Sequence, residues 1–149
     1  MIYKGSLHIN APPSWSPDGK QLLFGAHDGT SPSHLYLLDT ADAGTRTLSE
    51  FPDEAPSWSP DGTQIAFISD RSGSRELYLM RADGTSQRIV TEVGRWRQLQ
   101  YIWSPDGSRI LLIGAQTGGS GQLSVFDVRS KRVEQLPADS RRTAFSWRP

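Results

Sequence analysis

The pentapeptide Trp-Ser-Pro-Asp-Gly occurs three times, at 15–19, 58–62 and 103–107, and Trp147-Arg148-Pro149 begins the pattern again. The four tryptophans at 15, 58, 103 and 147 lie 43 to 45 residues apart. A fixed period of about 40–50 residues marks a repeat architecture, and it constrains the fold more than any other feature of the chain. Each copy has a local physical meaning. Pro presets φ for a turn, Asp bonds its own backbone, and Gly supplies the positive φ. Apolar residues alternate after the turn: Leu22 and Phe24, Ile65 and Phe67, Ile110 and Leu112. A period of two predicts a strand with one face buried. The unit is a hairpin whose first strand ends at the tryptophan.

The rest of each repeat predicts two further strands. In the first, Lys20–Gly25, His34–Asp39 and Thr45–Ser49 follow the strand closed by Trp15. The second reads Ala55–Trp58, Gln64–Ser69, Glu76–Arg81 and Gln87–Thr91. The third reads Leu99–Trp103, Arg109–Gly114, Gln122–Val128 and Arg132–Leu136. Ser6–Ile9 reads as a strand left from a preceding unit, cut off by Pro12-Pro13, and Thr143–Trp147 as the first strand of a following one. No segment sustains a helical period. Four short strands per long repeat select a propeller over other all-β folds.

Composition excludes several functions. The 16 Lys plus Arg balance 16 Asp plus Glu, so no net field draws the chain to nucleic acid or to an acidic membrane. The absence of cysteine removes disulfides, thiolate nucleophiles and Cys-type zinc sites. No apolar run approaches the roughly 18 residues of a membrane-spanning helix, and the first twenty residues lack an apolar secretory core.

The pattern Pro-x-Trp-Ser-Pro-Asp-Gly-x-x-Ile-x-Phe, then Ser-Asp-Arg-x-Gly, then Leu-Tyr-Leu-Met, resembles the TolB-like, WD-repeat-like β-propeller repeat; Ala55 to Thr91 follows it almost throughout. The resemblance covers about residues 12–149. It implies an all-β, partial β-propeller: one propeller segment over 1–149, with four-stranded antiparallel blades at about 12–50, 54–92 and 98–137. Residues 1–11 and 142–149 are then strands of neighbouring blades. It also implies a periplasmic or extracytoplasmic setting and a binding role. Closed propellers take about four to eight blades. Three blades expose two apolar faces, so the rest of a larger propeller chain, or a second copy, is expected to complete the ring.

Candidate sites divide into turn chemistry and one loop face. Asp18, Asp61 and Asp106 each sit where the turn needs a capping carboxylate, which accounts for them without catalysis. His8, His27 and His34 lack metal-ligand spacing. Gly118-Gly119-Ser120-Gly121-Gln122 is neither a nucleophile elbow nor a phosphate cradle. Asp70 and Glu76 give too few oxygens for calcium. No catalytic residue, metal site or cofactor is therefore expected. The connection carrying Arg95-Trp96-Arg97 is longer than its counterpart in the preceding repeat. Either Trp96 wedges between blades with both arginines solvated, or the triplet is a hot spot of the kind built from aromatics and Arg. By analogy with propellers, these connections share a face with the loops at 25–33, 69–75 and 114–121. That face would gather Arg71, Arg75, Arg95, Arg97, Arg141 and Arg142 with Phe51 and Trp96. The expected function is a non-enzymatic scaffold that docks a protein or peptide there. The alternatives are the gating propeller of a prolyl-oligopeptidase-like peptidase, or a small-ligand or ion site in the channel.

Overall fold

The computed structural model describes residues 8–9, 11–30, 32–90, 96–116 and 121–137, and these contain strands and turns but no helix. Three antiparallel sheets follow one another along the chain. The first holds β1 (His8–Ile9), β2 (Ser14–Trp15), β3 (Gln21–His27), β4 (His34–Asp39) and β5 (Thr45–Thr47). The second runs in order β6 (Asp53–Trp58), β7 (Gln64–Ser69), β8 (Glu76–Arg81) and β9 (Arg88–Ile89). The third runs in order β10 (Trp96–Trp103), β11 (Arg109–Gln116), β12 (Gly121–Asp127) and β13 (Arg132–Leu136). These are three propeller blades in an unclosed arc.

Blade one differs from expectation at its first strand. His8–Ile9 pairs with Ala26–His27 at the far end of β3, while Ser14–Trp15 pairs with Leu22–Leu23 at its near end. Residues 8–9 thus belong to blade one and not to a neighbouring blade. Pro12 and Pro13 have no N–H to give the ladder, so they split one inner strand into two without ending it. The expected strand at 143–147 lies outside the described residues.

The Ser-Pro-Asp-Gly turns repeat one geometry. The Ser59 hydroxyl donates to Asp61 Oδ1 at 2.6 Å, Asp61 Oδ1 accepts the Thr63 N–H at 3.0 Å, and Gly62 takes φ +71°. Asp18 and Asp106 repeat these bonds with Ser16 and Ser104. A Cβ on Gly62 would also meet Pro17 of the preceding turn at 3.4 Å, so the turns abut from blade to blade.

The core lies between blades. The expected one-sided burial fails in β7, where Ile65, Ala66, Phe67, Ile68 and Ser69 are all buried. Alternation still operates, but both faces have a neighbour. Ile65 and Phe67 join Trp58, Tyr78 and Met80 in packing on Leu23, Leu35, Leu37 and Leu48 of blade one. Ala66 and Ile68 join Leu77 and Leu79 in packing under Leu99, Trp103, Ile110, Leu112 and Phe126 of blade three. Trp58 and Trp103 therefore each seat in the blade before their own. Trp58 and Trp103 are 7% and 8% exposed, whereas Trp15 is 57% exposed. The three are thus not equally buried as the repeat suggests: no described blade precedes Trp15.

A second tie holds blades two and three together. The β6–β7 register slips between Glu54 and Ser57, and Ala55 stands at φ +49°, a left-handed conformation that alanine rarely adopts. The Tyr101 hydroxyl lies 2.5 Å from the Ala55 carbonyl oxygen and 2.7 Å from that of Ala66, pinning the bulge from the next blade.

Candidate binding surface

Strand pairing places one set of loops along a single edge. Asp53 pairs with Ser69 and Ser69 with Glu76, so the start of β6, the end of β7 and the start of β8 meet there. Ala26 pairs with His34, and the Ser33 carbonyl accepts the Asp53 N–H at 3.0 Å, which brings blade one's loop alongside. The Ser-Pro-Asp-Gly turns occupy the opposite edge.

At the seam between blades one and two, Arg71 is held from every side. Its Nη2 pairs with Asp53 Oδ2 at 2.5 Å and donates to Ser49 Oγ at 3.2 Å. Its Nε donates to Ser69 Oγ at 2.9 Å, and its Nη1 to Gln87 Oε1 at 2.5 Å. The Ser49 hydroxyl also bonds Asp53 Oδ2. The Arg71 side chain is only 13% exposed and that of Asp53 is fully buried. The guanidinium carbon lies 4.3, 4.9 and 5.2 Å from the ring centroids of Phe51, Tyr78 and Phe67. These are cation–π distances. Arg71 is thus a largely covered latch whose charge is matched by Asp53. Phe51, 50% exposed, is the aromatic member of the group that reaches solvent.

Beside Phe51 lies a pocket of about 190 Å³ lined by Ser33, Pro52, Asp53, Glu54, Asp70 and Arg75. Arg75 pairs with Glu54 across its wall. Three buried polar atoms on the lining residues have no hydrogen-bond partner: Asp53 Oδ1, Ser33 Oγ and Arg75 Nε.

The predicted site residues are distributed as follows. Phe51 and Arg71 meet at this seam. Trp96 and Arg97 stand on β10 and not in a lengthened loop, because β11 continues to Gln116 and gives Trp96 a ladder partner, with a bulge before Gln98 absorbing the odd residue. Arg95, Arg141 and Arg142 lie outside the described residues. The residue that sequence reasoning missed is Asp53, read as part of a connection. Its signal was an acid five residues before Trp58, with Arg71 following the next strand.

The three turn aspartates are acceptors within their own loops. Hydrogen bonds from Ser16, Ser59 and Ser104 are the largest cause that lowers their pKa values, that of Asp106 to about 2. On the inner face, a cleft of about 740 Å³ opens between β6 and β10, bordered by Pro56, Ser57, Leu99, Tyr101 and Ile102 among others.

The family model described as the TolB beta propeller domain matches residues 4–149. A TolB homolog of Chlorobium luteolum is 33% identical over 123 residues, which are 83% of this chain and 28% of that protein. The Tol-Pal system protein TolB of Francisella tularensis subsp. holarctica is 31% identical over 140 residues, 90% of this chain and 31% of that protein. The chain thus spans about three tenths of the length of these curated relatives. The crystal structure of TolB from Acinetobacter baumannii is similar with a TM-score of 0.73 and 27% identity, over 86% of this chain and 32% of that one. Acylaminoacyl peptidase of Pyrococcus horikoshii is similar in fold, with a TM-score of 0.66 at 16% identity over 88% of this chain and 25% of that one.

Proposed function

This chain belongs to the TolB β-propeller domain family, and we propose that it serves as a non-enzymatic scaffold docking a protein or peptide segment on its loop face beside Phe51. The observation that carries the reading is the state of Phe51: half exposed, yet stacked from beneath on a guanidinium that is itself immobilised. An aromatic fixed before binding loses little freedom on contact, which favours association. A relative named as a Tol-Pal system protein fits a protein partner. In this reading Arg71 supports the anchor from below. Trp96 and Arg97, at the start of β10 on the same edge, extend the surface, together with Arg95, Arg141 and Arg142. A further partner is a propeller blade, from the rest of a longer chain or from a second copy, covering the face that carries Trp15.

The inner cleft favours a second reading, a small ligand held between β6 and β10 on the channel side. The likeness to a peptidase propeller bears on fold alone.

Photo-crosslinking in cells tests the docking reading. A benzoylphenylalanine replacing Phe51 is expected to yield a discrete protein adduct. The same group replacing exposed Arg129, at the opposite edge, is expected to yield none. No adduct from position 51, or the same adducts from both positions, would remove the proposal.

A further inference from the structure

Two of the arginines gathered on the loop face are already neutralised at the seam between blades one and two. Asp53 matches Arg71, and Glu54 matches Arg75. Glu50 and Asp70 are left over. Both are exposed, and among the described residues neither carboxylate enters an ion pair. Both lie beside Phe51. Glu50 precedes it in the chain. Asp70 precedes Arg71, whose guanidinium carbon is 4.3 Å from the Phe51 ring centroid, and Asp70 lines one pocket with Pro52. Phe51 and Pro52 are exposed as well. The surface is thus a held aromatic ring with unpaired carboxylates next to it. A ring face and a carboxylate each attract a cation. A guanidinium answers both at once, because it is planar, stacks on aromatic faces and offers a fork of N–H donors. The fold already uses this combination, since Arg71 stacks on Phe51 while pairing with Asp53. An ammonium would supply the charge without the planar stack, and an anion would be repelled.

We propose that the segment docking on this face presents an arginine side chain to Phe51, its guanidinium stacked on the exposed part of the ring and its N–H groups directed to the carboxylates of Glu50 and Asp70. The inference rests on the docking role of the loop face and adds to it the charge that the partner carries at this seam. An acidic segment, which the arginines at positions 95 and 97 would favour, is the opposite outcome of the test.

Small probes test this without the partner. The full chain, labelled with ¹⁵N, is titrated with the N-acetyl amides of arginine, lysine, citrulline and glutamate while the backbone amide signals of Glu50, Phe51 and Asp70 are followed. Saturable shifts are expected with the arginine probe. Citrulline keeps the shape and loses the charge, and it is expected to bind about three- to ten-fold more weakly, with lysine between the two and glutamate weakest. Glu50→Gln combined with Asp70→Asn changes two exposed side chains and leaves the pairing of Arg71 with Asp53 in place. In that double variant the preference for arginine over citrulline is expected to fall below about two-fold. Arginine binding no tighter than citrulline or lysine, a preference for glutamate, no saturable shift, or a preference undiminished in the double variant would overturn the proposal. Arginine preference without a crosslink from position 51 would preserve the site and defeat the docking role. A crosslink without arginine preference would do the reverse.

Discussion

Asp106 shows how far a single residue's role was legible in advance. Turn chemistry alone placed a capping carboxylate there, and the structure supplies its partners, Ser104 and Ser108. Those bonds hold its pKa at about 2, below the ordinary 3.8, with the Ser104 hydroxyl the largest cause. A depressed carboxylate contributes stability above its unfolded pKa and loses it as pH falls through the folded one. The contribution of Asp106 should therefore fade between 3.8 and about 2. In Ser104→Ala, the Asp106 midpoint should rise toward 3.8 when followed by NMR, and the loss of stability over that window should shrink. Asp53 was not legible in the same way. Nothing local to the dipeptide Pro52-Asp53 announces an ion pair with a residue eighteen positions later, because that contact exists only once two strands have paired. The roles of Arg71 and Phe51 separate by mutation. Arg71→Ala strands a buried carboxylate and should cost about 3–5 kcal/mol. Phe51→Ala removes a half-exposed ring and should cost under about 1 kcal/mol while abolishing docking. Urea denaturation of the two variants checks the ordering; similar losses would contradict the latch.

The elements themselves were legible where period and punctuation agreed. β4, β7, β8 and β13 begin and end where the apolar alternation and flanking turns predict. The failures have physical causes. Pro12 and Pro13 looked like a boundary between blades, but a proline on an inner edge strand interrupts pairing without redirecting the chain. The start of β10 was misplaced because its extent follows the length of β11, a non-local property. One-sided burial was inferred for β7 because alternation shows that two faces differ; it does not show whether the second face meets water or another sheet. That second face makes Trp58 an element-scale keystone, since it caps blade one's Leu23, Leu35 and Leu37 from blade two. Trp58→Ala should cost about 3–5 kcal/mol in chemical denaturation, as a large-to-small change in a packed core. A loss below about 1 kcal/mol would contradict its place between blades.

For the whole molecule, the repeat specifies an interface as well as a fold. Trp58 and Trp103 each seat in the preceding blade, and Trp15 occupies the same position in the motif with 57% of its surface exposed, beside Ile9 at 56%. By the repeat, blade three's counterpart of the surface in which those tryptophans rest is the face of β11 that carries Leu111 and Ile113. The two ends of the arc are complementary by the repeat's own geometry. Contiguous apolar patches beyond a few hundred Å² are seldom left exposed on a monomer, and a head-to-tail contact of this kind is heterologous, closing only when its rotation completes a ring. The most direct test is sedimentation equilibrium on the 149-residue chain and on its Trp15→Ser variant at micromolar concentration. The account predicts a multiple of 16.5 kDa for the first and a shift toward 16.5 kDa for the second. A cooperatively unfolding species of 16.5 kDa in both would contradict it.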